Sequence, residues 1–494
     1  MNSLRSLVLI TVDCLRADHV GFLGYDRKTT PFLDSLASES RVLPNAIVAG
    51  APTYYSFPAI MASRYPLALG RDVIGLAPEE ATLATVMKQL GYSTAAFLAA
   101  NPYLSPRFGY DTGFDTFHDF LDEESADIPL NGGGTGMRGR LNRNLADLFH
   151  KLGSAGSVYD ELYFQYCQRL TDSPGVSLDR LRRFPAADVI VDHASDWLGG
   201  IAGGPFFLWL HFMDPHSPYY PSKKSLQWMG HPTLDARRAR YVNSYWNRSD
   251  LTAKRLARHR DEVIALYDAG IRWVDGQIAR LVDILHNFNL WENTVMALTA
   301  DHGEEFLDHG GRYHSPSKVT EELIHVPLLI RVPGLKNMEP ARSTFSLIRL
   351  APTLLEAVGA RPPDSFRGSS LWATLQHNKD WEGQAIVECV SGCNNPFLAS
   401  NRLGPRILAI REDRYKLVVD FGSSSEQLFD LNLDVEELHP LPPSKEKSVR
   451  YRLLQRARQH LADSLLPRDP SHRVTAQLRD LQIEWANSSV RIPT

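Results

Sequence analysis

Short apolar runs alternate along the chain with longer stretches whose apolar positions recur at helical spacing. The runs at 7–12 (LVLITV), 93–98 (STAAFL), 206–211 (FFLWLH), 294–299 (TVMALT) and 327–332 (PLLIRV) predict strands. Their apolar character is nearly continuous rather than alternating, which is the pattern of strands buried on both faces of a parallel sheet. Between them, residues 31–38, 83–90, 186–198 and 261–285 predict helices; in the last, Val263, Ile264, Leu266, Ile271, Val274, Ile278, Leu281, Val282 and Leu285 form one apolar face. Strands separated by helices define an α/β domain. We place it at residues 1–375, with an insertion at about 120–200 that contains the glycine-rich loop NGGGTG at 131–136.

Past residue 371 the pattern changes. Residues 407–410 and 415–419 read as two strands joined by the polar turn 411–414, and a second turn at 423–425 precedes an apolar-containing segment at 427–431. This predicts a smaller α+β domain at about 376–470, followed by a polar extension at 471–494.

Composition narrows the function classes. The 494 residues carry 53 Lys+Arg against 57 Asp+Glu, a net charge of −4, which excludes a nucleic-acid binder relying on a bulk positive field. A hydrophobic fraction of 43% and a charged fraction of 22% exclude a largely disordered chain. No segment approaches the ~20 consecutive apolar residues of a membrane span, and the run at 7–12 is too short for the apolar stretch of a signal peptide. The four cysteines, Cys14, Cys167, Cys389 and Cys393, are too few for a disulfide scaffold and point to a reducing, cytoplasmic compartment. Cys389 and Cys393 have no second pair of ligands nearby to make a zinc site. Arg237, Arg238, Arg240, Lys254, Arg255, Arg258 and Arg260 read as a solvated helical face. Homo-oligomerisation is left open.

Candidate chemistry lies at the predicted strand ends. Asp13 directly follows one strand, and Asp301-His302, continued by Gly303-Glu304, follows another. In open α/β sheets ligands bind beyond the carboxyl ends of strands, so these ends can converge on one site. Two carboxylates and an imidazole make a plausible first shell for a divalent cation.

Several blocks then share one order: LVLITVDCLRADHVGFLGY, TYYSFPAIMASRYP at 53–66, FFLWLHFMDPHSPY at 206–219, TVMALTADHGE at 294–304, EELIHVPLLIRVP at 321–333 and APTLLEAVG at 351–359, followed by the stretch 414–431. Together they resemble the sulfatase family of the alkaline-phosphatase superfamily. The resemblance implies a large doubly wound, mainly parallel sheet flanked by helices, with a smaller C-terminal α+β domain. It implies Asp13, Asp301 and His302 as metal ligands and His216 as the histidine at the leaving oxygen. His314 takes the place of a further cationic contact, with Lys318 as its substitute.

The family's nucleophile is a cysteine-derived formylglycine, or a Ser or Thr, upstream of an Arg-Tyr-Pro-like ending. Arg64-Tyr65-Pro66 aligned to that ending places Thr53 at the nucleophile position, with Ser56 as the competing hydroxyl. Tyr55 and Phe57 replace the proline and arginine of the formylglycine motif, so no formylglycine is expected. Cys14 stands where many members carry a second ligating aspartate, and Ala99 where many carry a lysine; Asn101 is the nearby candidate for substrate binding. The single aspartate followed later by Asp-His resembles phosphonate monoester hydrolases and choline sulfatases, which favours one Mn2+ ion, with Ca2+ or Mg2+ as alternatives.

The resulting expectation is a metal-dependent hydrolase that cleaves a sulfate ester, a small anionic substrate, through a covalent intermediate on Thr53. A hydroxyl nucleophile also suits a phosphate or phosphonate ester hydrolase or a phosphoryl transferase, because a threonine ester needs a second in-line displacement. A non-catalytic anion-binding descendant is the third reading.

Overall fold

The computed structural model describes residues 4–465 apart from 72, 122–160, 163, 167, 169–176, 202, 336–338, 378 and 380. Cys167, the loop 131–136, much of the predicted insertion and the extension 471–494 lie outside the described residues.

A seven-stranded sheet organises the molecule. In chain order its strands are β1 (Ser6–Val12), β2 (Arg41–Val42), β3 (Ser93–Leu98), β4 (Thr116–His118), β5 (Phe206–Phe212), β6 (Thr294–Ala300) and β7 (Leu328–Arg331), and their spatial order is β2-β7-β6-β1-β5-β3-β4. β1 pairs in parallel with both β5 and β6, and β3 in parallel with β5 and β4. β7 runs antiparallel to β6 and β2. β1, β5 and β6 are buried at every position, so their continuous apolar character matches two covered faces. Long helices cover the sheet, among them α2 (Arg260–Asn287), whose buried residues include all nine of the apolar positions named above.

Residues 53–62, to which the pattern assigned no element, form a ten-residue helix, α1 (Thr53–Ala62). Every residue of α1 is buried, including Tyr54, Tyr55 and Phe57, so it has no polar face to produce a periodic signal.

The C-terminal part is a four-stranded antiparallel meander, Ala385–Val390, Arg406–Glu412, Tyr415–Asp420 and Ser425–Asp430, backed by α3 (Lys447–Leu465). Leu453, Leu454, Ala457 and Leu461 of α3 pack with Leu408, Ile410, Leu417 and Leu428 of the sheet. A buried charge cluster joins this sheet to the larger domain: Lys416 Nζ lies 2.7 Å from Glu437 and 3.1 Å from Glu321. Among the described residues no helix is long and apolar enough to cross a membrane.

Candidate active site

Sheet geometry brings the candidate residues together. Val12 and Ala300 are register partners on adjacent parallel strands, so Asp13 and Asp301 leave the sheet side by side. β5, on the other side of β1, leads into Asp214-Pro215-His216, and β3, beyond β5, leads to Asn101. All four segments emerge at the carboxyl ends of parallel strands, where α/β sheets bind ligands. Thr53 arrives separately, as the first residue of α1.

Asp13, Asp301 and His302 offer ligand atoms that all lie within 4.8 Å of one another, and all three residues are fully buried. Asp13 Oδ2 accepts a 2.8 Å hydrogen bond from Asn101 Nδ2 and lies 3.3 Å from His211 Nε2. Asp13 Oδ1 accepts from Cys14 Sγ at 3.0 Å and lies 3.8 Å from His302 Nε2. His302 Nδ1 is 2.9 Å from the Gly303 carbonyl; with that nitrogen donating, the Nε2 lone pair faces Thr53 Oγ1 at 3.1 Å. Cys14 Sγ is also 3.4 Å from His314 Nδ1, which in turn is 3.4 Å from Glu304 Oε2.

Electrostatics divides these groups. Burial alone would push the Asp13 carboxyl up, but His216, His211 and His302 outweigh it and hold Asp13 well below the carboxylate range. Burial and the adjacent Asp13 charge push Asp301 up to about 7. Burial, with His314 beside it, lowers His302 to about 4. His314 moves the other way: burial opposes its charge, but Glu304, Asp13 and Asp301 outweigh it and raise its pKa. His216 is lowered by burial, partly offset by Asp13. Before any cation binds, this concentration of buried acid is balanced only by shared protons and imidazoles.

Two buried carboxylate oxygens, Asp301 Oδ2 and Glu304 Oε1, have no hydrogen-bond partner among the described residues. Orphaned acceptors next to an imidazole lone pair fit a divalent cation, which would satisfy them by coordination. The His302 Nδ1 contact to a backbone carbonyl is the kind of outer support that orients a ligating imidazole.

The site opens into a cleft of about 470 Å³ lined by Pro52, Thr53, Tyr54, Asn101, Pro102, Tyr103, Met213, His216, Arg312, Tyr313, His314, Ser315, Pro316 and Asn394. Asn394 lies in the loop after strand Ala385–Val390, so the smaller domain supplies part of the wall. A second cavity, of about 350 Å³ beside Tyr65, Arg367, Arg456 and His460, contains none of the candidate residues.

Asp13, Thr53, Asn101, His216, Asp301, His302 and His314 thus meet at one place. Ser56 and Lys318 stand apart from it. Ser56 Oγ is buried one turn further along α1 without a hydrogen-bond partner among the described residues. Lys318 Nζ is held by both oxygens of Glu305, at 2.7 and 2.8 Å, and by the His309 carbonyl. The basic stretch is likewise engaged in pairs, Arg238 with Glu262, Arg255 with Glu161 and Arg260 with Asp308.

Two participants went unassigned in the sequence. Glu304, fully buried, partners His314; its signal was the acidic residue continuing the ADHGE block. His211 supports Asp13, and its Nδ1 contacts Thr11 Oγ1 at 2.9 Å, itself hydrogen-bonded by Trp209 Nε1 at 3.0 Å. Its signal was an imidazole inside an otherwise apolar strand.

The sequence model of the sulfatase family matches residues 5–360, the whole of the large sheet and its site. The chain belongs to the sulfatase family. A second model, the C-terminal region of N-sulphoglucosamine sulphohydrolase, matches residues 311–463. Arylsulfatase K of Mus musculus is 28% identical over 280 residues, covering 50% of this chain and 48% of the mouse protein. The Canis lupus familiaris arylsulfatase K is 27% identical over 300 residues, covering 54% of each chain. The matched region therefore spans about half the length of these relatives. Among solved structures, the phosphonate monoester hydrolase of Agrobacterium radiobacter superposes with a TM-score of 0.64 at 18% identity, covering 93% of this chain and 95% of that one. A protein solved with its substrate D-glucosamine-2-N,6-O-disulfate gives a TM-score of 0.64 at 16% identity, covering 94% and 98%. At these identities the structural likeness speaks for the fold, which this sulfatase-family chain shares with both.

Proposed function

We propose that this sulfatase-family protein hydrolyses a sulfate ester through a covalent intermediate on Thr53. The observation that carries the reading is the placement of Thr53 Oγ1, at the buried end of the cleft and 3.1 Å from His302 Nε2 beside Asp13 and Asp301. Asp13, Asp301 and His302 would hold a divalent cation; such an ion neutralises charge on the ester oxygens and favours the ionised hydroxyl.

Thr53 Oγ1 attacks the central atom of the ester, and its proton leaves to water in the cleft, since His302 Nε2 as a cation ligand has no lone pair to take it. His216, in the cleft wall, gives a proton to the departing alcohol, which would otherwise leave as a poor alkoxide. Asn101 keeps Asp13 Oδ2 occupied, so Oδ1 is the oxygen turned toward His302. His314, paired with Glu304, supplies positive charge at the cleft floor for the transferred group. Water then cleaves the Thr53 ester by a second displacement: His216 takes a proton from the attacking water, and Thr53 Oγ1 regains one from solvent as it leaves.

The family match, the arylsulfatase K relatives and the neighbour with a sulfated sugar substrate support sulfate. A phosphate or phosphonate ester is the second reading, favoured by the hydroxyl at position 53 and by the phosphonate monoester hydrolase neighbour. An assay of aryl sulfates, phosphate mono- and diesters and phosphonates, each with Mn2+, Zn2+, Ca2+ or Mg2+ added, separates them. Higher kcat/KM for the sulfates supports the first reading, and higher kcat/KM for a phosphorus ester replaces it with the second. No turnover of any ester points to a non-catalytic anion binder.

A further inference from the structure

Among the described residues Cys14 is the one thiol in the candidate ligand groups, and its setting is unusual. Its backbone sits in the left-handed region at φ 61°, which costs a residue with a β-carbon and is sustained here by contacts on both sides. The Cys14 N–H points to Asp301 Oδ1 at 3.4 Å, and its carbonyl accepts from Tyr267 Oη at 2.7 Å. So held, Sγ lies among ligating atoms rather than in the apolar core beneath: 3.0 Å from Asp13 Oδ1 and 3.4 Å from His314 Nδ1. Cys14, His302 and His314 offer ligand atoms within 4.8 Å of one another, as do Asp13, Cys14 and His216. The residue is fully buried, and beside it the Asp301 Oδ2 and Glu304 Oε1 carboxylate oxygens have no partner among the described residues.

We propose that the Cys14 thiolate joins Asp13 and His302 as a ligand of the cation, and that the centre therefore takes a thiophilic divalent ion, Zn2+ or Co2+, in preference to Mn2+, Ca2+ or Mg2+. The inference rests on the reading of this centre as a cation site. Asp13 Oδ1 lies 3.0 Å from Sγ and 3.8 Å from His302 Nε2, and Cys14 and His302 offer ligand atoms within 4.8 Å of each other, so sulfur, oxygen and nitrogen donors are neighbours here. Thiolate is a soft donor that stabilises Zn2+ and Co2+ far more than the hard, oxygen-seeking Ca2+ and Mg2+. As the sulfur–metal bond forms, the thiol proton is released to water.

The test uses the full chain stripped of metal and titrated with Co2+, read by absorption and by metal analysis. The wild type should bind Co2+ and show the near-ultraviolet thiolate-to-cobalt charge-transfer band. Cys14→Ser and Cys14→Asp should still bind Co2+ without that band. Aspartate adopts the left-handed conformation readily, so the second variant keeps the backbone and replaces only the donor. Zn2+ affinity relative to Mn2+ should fall by about tenfold or more in Cys14→Asp, at least the loss seen when even an outer support of a metal ligand is removed. Unchanged thermal unfolding of the metal-free variants shows that the loss is not misfolding. If Co2+ binds and is lost in Asp301→Asn, yet the band is absent and Cys14→Asp leaves the preference unchanged, the thiolate ligand is overturned and the cation site stands. If the wild type binds no divalent ion, the reading of the centre falls with it.

Discussion

Thr53, His216 and Phe57 show at the residue scale what the site keeps and what it replaces. Phe57 is fully buried, with its ring 5.3 Å from that of His211 and 5.5 Å from that of Trp209, so apolar packing fills the position that the resemblance aligns with the arginine of the formylglycine motif. A hydroxyl nucleophile has no aldehyde hydrate for such an arginine to steady. Thr53→Ala should therefore lower kcat by at least about 10³-fold, as loss of a nucleophile does, with Thr53→Ser retaining part of the activity. Ser56→Ala should leave turnover near wild type, because Ser56 is a turn removed from the cluster. His216→Gln should cost about 10²–10⁴-fold on an alkyl ester and far less on a nitrophenyl ester, whose alcohol needs no proton. Burial holds His216 below its usual 6.5, so its protonated fraction grows as pH falls. Turnover of the alkyl ester should accordingly decline as pH rises through that pKa, and the decline should vanish in His216→Gln. Most of this cluster was legible because its members follow predicted strand ends or lie in or near recognisable blocks. His211 and Glu304 lie in the same blocks but were given no role, since a supporting residue leaves no spacing of its own.

Elements, rather than single side chains, fix how closely these groups approach. The five predicted strands of the main sheet and the four predicted helices all form, with ends shifted by one or two residues, because continuous apolar runs and helical stripes report burial directly. The helix α1 and the strand Ala385–Val390 escaped that reading: α1 is buried all round and has no polar face, and the apolar run of the strand is broken by the buried Glu388. Close approach is set at Gly303, whose amide donates to Leu323 O at 2.9 Å and where an added Cβ would meet Glu322 O at 1.9 Å. Gly303→Ala must push the loop away from Glu322, moving His302 with it. It should lose about 1–3 kcal/mol in denaturant unfolding, as overpacked sites do, and cation affinity should fall in the same variant. Asp214, after β5, accepts from Ala187 N at the start of helix Ala187–Gly200 and is raised to about 7 by burial. Its carboxyl stays protonated in the fold while the unfolded chain ionises near 3.8, so its stability contribution is intact below that value and lost as pH rises through about 7. Asp214→Asn should match wild type at pH 4 and exceed it in stability at pH 8, measured by urea unfolding.

For the molecule as a whole, the smaller domain is part of the cleft rather than an appendage, with Asn394 in the wall and Lys416 buried between Glu321 and Glu437. Lys416→Met leaves Glu437 without its cation and Glu321 with Arg411 at 3.6 Å, and should cost about 3–5 kcal/mol of stability, the range for a broken buried pair, seen as a lowered unfolding midpoint. The α/β architecture and the last three strands of the antiparallel meander were readable from the chain; their junction was not, because buried charge pairs between distant segments have no local pattern. The central proposal is that Thr53 carries the transferred group. Intact-mass measurement of the full chain, acid-quenched during turnover of an aryl sulfate and followed by peptide mapping, tests it most directly. The account predicts one added sulfo group, located on Thr53 and absent in Thr53→Ala. Turnover without any adduct on the trapped chain, or an adduct located on Ser56, would contradict it.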